Sequence, residues 1–364
     1  MHDNSIHQLR MKATSCARVI PSGEVMLNAD EPFIGRPAKL VFVACVEAGS
    51  LEMQTIWLAE SLRRWGGRLA ESEFYAVTPR RGLPLAGSTF EAFERLQVQY
   101  AGLAAPHRYG WWGPMNKPAA LAHVEGVSKA DIVVWMDSDT LVLREPTALS
   151  LEREFDYAAY PASRLLDIGT NGHDGHEAYW RAVCLAHGID PERYSWIPAQ
   201  EREGGQIRMY WQSGVFAYRR ATSLGQRMLE RSIRQMEARI AAQASGIYFH
   251  EQTALGVAVH ADELRYKVLE ESYNMPLNKL NLDESGAGFV KDARILHYFG
   301  SAWPDFFSEM VGMIRVERPD VAGWLWERGP LADHSPLWKR AVGKVWKRQR
   351  SSAAAKFAAT CQVI

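Results

Sequence analysis

The stretch DIVVWMDSDTLVLREP, residues 131–146, decides how the rest is read. Its core, Ile132 to Met136, is short, apolar and rich in β-branched residues, which predicts a strand buried on both faces. It ends in two acids, Asp137 and Asp139, separated only by Ser138. Carboxylates beside a buried strand are costly unless a counter-charge, hydrogen bonds or a metal ion compensates them. A second apolar run, TLVL, follows at once, so the pair does not lie in a plain surface loop.

Upstream, residues 38–46 (AKLVFVACV) read as a buried strand. SLEMQTIWLAESLRRWGG follows as a helix, with Ser50 as N-cap and Gly66 and Gly67 as its stop. Residues 73–79 (EFYAVTP) form the next strand. Strand, helix, strand opens an α/β domain with a parallel sheet. Residues 80–114 read as a looser stretch containing YGWWGP. NKPAALAHVEGVSKA then predicts a helix capped by Asn116, with Pro118 in its first turn. That helix delivers the chain into the opening strand, which puts Asp137 and Asp139 at the strand's carboxyl end, the edge where open α/β sheets bind ligands. Further on, residues 155–161 and 213–220 read as strands. SLGQRMLERSIRQMEARIAAQ and HEQTALGVAV read as helices, and ARILHY as a late strand.

The chain has 364 residues, with 42 Lys plus Arg against 42 Asp plus Glu. Zero formal charge argues against a nucleic-acid binder, which shows a basic excess or stripe. The four cysteines, Cys16, Cys45, Cys184 and Cys361, have no zinc spacing, and Cys45 reads as an inert buried thiol. The pattern fits a reducing, cytoplasmic setting. The first residues contain no apolar run of signal-peptide type, and no apolar run approaches the length of a membrane-spanning helix.

Taken alone, Asp-x-Asp also fits a solvated turn or a helix cap. Two carboxylates this close repel unless a cation joins them, and hard oxygen donors suit Mg²⁺ or Mn²⁺ shared with a diphosphate. Here NKPAALAHVEGVSKADIVVWMDSDTLVLREP, WQSGVFAYRR, HEQTALGVAV and ARILHYFGSAWP together resemble the successive motifs of GT-A-fold, nucleotide-sugar-dependent glycosyltransferases. Among these, the chain resembles retaining, glycosyltransferase family 8-like enzymes. The resemblance runs from Ala38 to Trp303, about three quarters of the chain.

The resemblance implies a GT-A (Rossmann-like) α/β fold, a mixed sheet flanked by helices in a single main domain. It implies a UDP-sugar or similar nucleotide-sugar donor, a glycan or other hydroxyl acceptor, and Mn²⁺ or Mg²⁺ held by Asp137, Asp139 and His297. Asp137 and Ser138, Ala44, Cys45 and Val46, Lys117, and Gln212, Ser213 and Gly214 would face the donor, with Ala44 to Glu47 at the nucleotide base. Glu251 and Gln252 would be catalytic, with Glu251 standing where retaining relatives have Asp. Each residue also has a structural reading. His297 fits a satisfied strand-end histidine, Gly214 a bend, Glu251 a helix-start acid favoured by the macrodipole, and Lys117 an exposed cation. Trp111 and Trp112 fit either a stacking platform for the acceptor or buried packing.

One departure is plain. Relatives with the histidine motif continue into a Lys-Pro-Trp-like stretch, whereas this chain reads GSAWPD, leaving Lys117 or Arg294 to meet the diphosphate. The domain reading is an N-terminal arm (1–36), a transferase domain (37–320) and a basic tail (321–364). In SPLWKRAVGKVWKRQR, Trp338, Val342 and Trp346, with Leu337, Ala341 and Val345 beside them, form a stripe on a helix. It fits peripheral contact with an anionic inner-membrane surface, as in envelope or lipid-linked glycan synthesis, or packing on the domain. Two other classes stay open: a sugar-nucleotide nucleotidyltransferase and a non-catalytic glycan-binding scaffold.

Overall fold

A computed structural model describes residues 37–103, 108–277, 290–333 and 335–364. The N-terminal arm and Cys16 lie outside the described residues. Residues 38–364 form one compact unit.

The first half winds as expected. β1 (Leu40–Cys45) leads into α1 (Ser50–Trp65) and β2 (Glu73–Thr78). The cap of α1 is Gly49 rather than Ser50. Gly49 has φ +107°, a conformation open to glycine, and Glu52 reaches back to accept from its N–H (3.0 Å). The second Glu52 oxygen accepts from Ala86 N (2.7 Å) and Thr89 Oγ1 (2.5 Å). It thereby fixes α2 (Gly87–Arg95), which leads into β3 (Val98–Gly102). Both elements fall in the stretch read as loose. α3 (Asn116–Val127) is flanked by Met115, not capped by Asn116, whose side chain donates to Glu47 Oε1 (2.7 Å).

β4 (Ile132–Met136) is buried at every position, as its composition predicts. After it come β5 (Thr140–Val142), β6 (Tyr157–Pro161), α4 (Glu177–Ala186), β7 (Trp196–Pro198), β8 (Gln206–Arg208) and β9 (Trp211–Arg219). Then follow α5 (Leu224–Ala238), β10 (Ile240–Ala241), α6 (His250–Ala261), β11 (Tyr266–Val268), β12 (Met275–Pro276) and β13 (Ile295–His297). The described chain ends with α7 (Phe307–Glu317), α8 (Pro319–Arg328), α9 (Leu337–Ala358) and β14 (Gln362–Val363).

The main sheet has seven strands in the order β11-β6-β9-β4-β1-β2-β3. β3, β2, β1 and β4 are mutually parallel, and β9 runs antiparallel between β4 and β6. It is a mixed α/β sheet flanked by helices. Side-chain alternation sorts its strands onto two faces. Val41, Val43, Val133 and Trp135 pack toward α3, α4, α5 and α6. Leu40, Phe42, Ile132 and Val134 pack toward α1 and α2. With both faces covered, β1 and β4 must read as unbroken apolar runs.

A second, three-stranded sheet (β12-β13-β5) packs with α7 and α8 against Trp57. The boundary expected at residue 320 therefore falls inside α8, whose Val321, Trp324 and Leu325 are buried in this core. In the tail, β14 pairs with β10, so the chain's last residues are stitched to the domain.

Gly256 lets α6 press against the chain entering β9. A Cβ there would lie 2.3 Å from Met209 O and 3.1 Å from the Tyr194 hydroxyl. In an exposed helix, Gly→Ala stabilises by about 1 kcal/mol. Here overpacking reverses the sign, and Gly256→Ala is expected to cost about 1–3 kcal/mol. A lowered urea midpoint would show it, and an unchanged or raised midpoint would contradict this packing.

Candidate active site

β1 and β4 end at the same edge of the main sheet, and because β9 is reversed, its beginning lies there too. Asp137 N donates to Gly214 O (2.8 Å), joining the two acids to the QSGV segment. The cleft above this edge has a volume of about 950 Å³.

Asp137, Asp139 and His297 bring one ligand atom each within 4.8 Å of one another. β13 carries His297 to Asp139 through its antiparallel pairing with β5. His297 Nε2 faces Asp139 Oδ1 (3.1 Å), and Nδ1 donates to Asn274 Oδ1 (3.0 Å). That second bond fixes the ring so that Nε2 is the nitrogen aimed at the acids. Burial opposes charge on both partners, but their mutual attraction wins: Asp139 is held below the ordinary carboxylate range and His297 above the ordinary imidazole range. Gly214 makes the approach possible, since a Cβ there would be 2.8 Å from His297 Nδ1.

Lys117 is buried, not exposed. Its Nζ donates to Ser213 O (2.7 Å) and Ser213 Oγ (2.8 Å), and lies 3.2 Å from Asp137 Oδ1 and 3.3 Å from Glu251 Oε1. Burial alone would depress its pKa, but Asp137 and Glu251 raise it. Its donors are committed to the protein, so it braces the site rather than reaching for a diphosphate. Asp137 also accepts from Trp135 Nε1 (2.8 Å). Glu251 is pushed above the usual carboxylate range by burial and by Asp137, against the pull of Lys117. Its Oε2 is buried without a partner among the described residues. Gln252 joins the same group through Ser213 Oγ (3.2 Å).

Of the residues expected at the donor, Cys45, Lys117, Asp137, Ser138, Gln212, Ser213 and Gly214 line the cleft. Ala44 and Val46 do not: both are fully buried in the core behind it. Ser138 instead ties Asp137's neighbourhood to β1 by donating to Cys45 O. Burial, first of all, pushes the Cys45 thiol far up, which fits an inert thiol. Arg294 donates to Glu145 O (2.7 Å), away from the cleft. Trp112 is buried beside His250, and Trp111 packs on Phe357, so neither forms an open platform.

Several cleft residues escaped the sequence reading. Arg80, just past β2, pairs (2.5 Å) with Glu47 past the end of β1, a residue expected at the nucleotide base. The rule that singled out Asp137, a charge just past a buried parallel strand, would have found Arg80. Asn274 has no such signal. Tyr160, Asp167, Gln200 and Arg202 line the far side of the cleft, all but Tyr160 contributed by the long insert between β6 and β9.

The profile of the Rhodobacterales glycosyltransferase domain matches residues 42–263, and the chain belongs to that family. No curated protein matches it. Among solved structures, the apo form of the bifunctional glycosyltransferase WbbM is similar over 83% of this chain and 53% of its own, with 12% identity and a TM-score of 0.44. The chain thus spans about half the length of that structure.

Two outcomes test this geometry. Asn274→Ala should weaken divalent-cation binding about 10–100-fold by freeing the His297 ring. Calorimetric titration with Mn²⁺ reads this directly, and wild-type affinity would detach Asn274 from the site. Asp167 supplies the second. Burial first, then Glu203, raises its pKa from 3.8 to about 6. The folded state therefore holds its proton more tightly than the unfolded state, and the cost of its charge is absent below pH 3.8 and full above about pH 6. Asp167→Asn keeps an acceptor for Ser163 N and Gln212 Nε2 while removing that charge. It should raise Tm by roughly 2–4 °C near pH 8 and lose the gain toward pH 4. A pH-independent difference would refute the assignment.

Proposed function

We propose that this protein is a metal-dependent glycosyltransferase that moves a sugar from a nucleoside-diphosphate donor, a UDP-sugar, to an acceptor hydroxyl. The observation that carries the reading is the convergence of Asp137, Asp139 and His297 beside the Lys117–Glu251 pair, at the ligand-binding edge of the sheet.

The donor set, two carboxylates and an imidazole around a polar cleft, fits Mn²⁺ or Mg²⁺. Asp137, Asp139 and His297 would hold that ion. When bound, it would neutralise diphosphate oxygens and act as a Lewis acid as the bond to the sugar breaks. The chain's own residues supply the rest. Lys117 keeps Asp137, Glu251 and Ser213 in one arrangement. Glu47, fixed by Arg80 and Asn116, shapes the end of the cleft nearest Cys45, where the base would lie. Glu251 carries the role of the reacting-centre carboxylate. Its unpartnered Oε2 and raised pKa suit it to face positive charge growing on the anomeric carbon, or to take the acceptor's proton. The insert carrying Asp167, Gln200 and Arg202 supplies acceptor contacts. The acceptor proposed is an envelope or lipid-linked glycan, met at the cytoplasmic face of the membrane.

Donor hydrolysis over a panel of nucleotide sugars, with Mn²⁺ and with chelator, tests the reading. One donor should release its nucleoside diphosphate only with metal. Asp139→Ala should lower that rate at least about a hundredfold, and Glu251→Gln should lower kcat about 10²–10³-fold with KM little changed. If no nucleotide sugar binds in either condition, the catalytic reading fails and a glycan-binding scaffold replaces it.

A further inference from the structure

Residues 335–364 contain seven Lys and Arg and no Asp or Glu, so the other residues carry a net charge of −7. The structure shows where these cations go. α9 lies along the domain by one face. Lys339 Nζ donates to Pro84 O (2.8 Å) and Arg350 Nη2 to Arg81 O (2.7 Å). Phe357 packs on Trp111 and Tyr109. Val342, Trp346 and Arg350 are half-buried on this side.

The apolar stripe read from the sequence is therefore split. Val342 and Trp346 turn inward. Leu337 is 75% exposed, Trp338 57% and Val345 55%. With exposed Ala341, these residues recur at three- and four-residue steps and form one edge of the solvent face. Arg340, Lys344 and Lys347 form the other edge at the same spacing, and Arg348 lies between. No ion pair among the described residues includes any of these four cations. Large apolar side chains beside unneutralised cations, on a helix already held in place, match a bilayer interface: the apolar edge enters the acyl boundary and the basic edge meets anionic headgroups. A nucleic acid would use the charges but leave Leu337, Trp338 and Val345 without a partner. No helix among the described residues is long and apolar enough to cross a membrane.

We infer that the outer face of α9 docks the protein on an anionic lipid surface, through Leu337, Trp338 and Val345 on one edge and Arg340, Lys344, Lys347 and Arg348 on the other. The inference shares with the transferase reading only the place of action, because docking involves no residue of the cleft.

The test is co-sedimentation of the full chain with phosphatidylcholine vesicles, with and without about one third phosphatidylglycerol. At low salt, the bound fraction should be at least about tenfold higher on the anionic vesicles and should fall as salt rises. The combined variant Arg340→Glu, Lys344→Glu and Arg348→Glu should abolish binding. Trp338→Ser with Val345→Ser should weaken it about tenfold. All these positions are exposed, so circular dichroism and donor hydrolysis in solution should match wild type. Absence of binding, equal binding to neutral vesicles, or wild-type binding by the charge-reversed variant overturns the inference. So does full competition by a DNA oligonucleotide together with indifference to the two serine substitutions, which would mark a polyanion site.

Discussion

A buried ammonium organises this molecule. Lys117 arrives on α3, and removing its charge from water is tolerable only because four oxygen atoms of three residues on three other segments surround it. Asp137 lies past the end of β4, Ser213 on β9 and Glu251 on α6. None of these elements can shift without leaving a charge unmatched. The same demand explains the spacing of the cleft: Lys117 stands between two carboxylates, Asp137 and Glu251, that would otherwise repel. The ion pairs that matter here are the enclosed ones. Exposed pairs elsewhere, such as Lys267 with Glu152, are worth little in water.

A second layer of positioning lies behind the acids. Asn274 fixes His297, the absent side chain of Gly214 admits it, and Ser138 pins the turn between the two acids to β1. These contacts link the small sheet to the large one at the cleft. The three candidate metal ligands therefore come from both sheets, although the main sheet dominates the fold. Membership in the Rhodobacterales glycosyltransferase domain family agrees with this arrangement.

How far the sequence could be read depends on what each residue contacts. β1 and β4 were legible because strands covered on both faces need continuous apolar runs, and charges following such runs stand out. α2 and β3 were hidden because β3 is an edge strand with only Val98 buried, so its alternation is faint. The caps failed for a related reason: Ser50 and Asn116 are good cap types, but Gly49 with Glu52 and the pull of Glu47 on Asn116 decided otherwise. Asn274 was invisible because its partner is 23 residues away in the chain. The tail's stripe was correctly periodic, yet periodicity cannot say which half of a helix finds a neighbour.

The reversal of β9 has a consequence for how such a protein can diverge. β6 ends and β9 begins at the same edge of the sheet, so residues 162–210 leave and return at the mouth of the cleft. Lengthening or replacing that excursion costs little closure entropy and does not disturb the pairing of β6 with β9. The insert is anchored to the main core by its buried side chains and is free to vary at its cleft-facing surface. Its buried side chains, Trp180, Tyr194, Ile197 and Ile207 among them, belong to the main core, while the cleft-facing side chains of Asp167, Gln200 and Arg202 can be rewritten with the acids, histidine and lysine left where they are. A lineage built on this frame can change what it modifies without relearning how to fold.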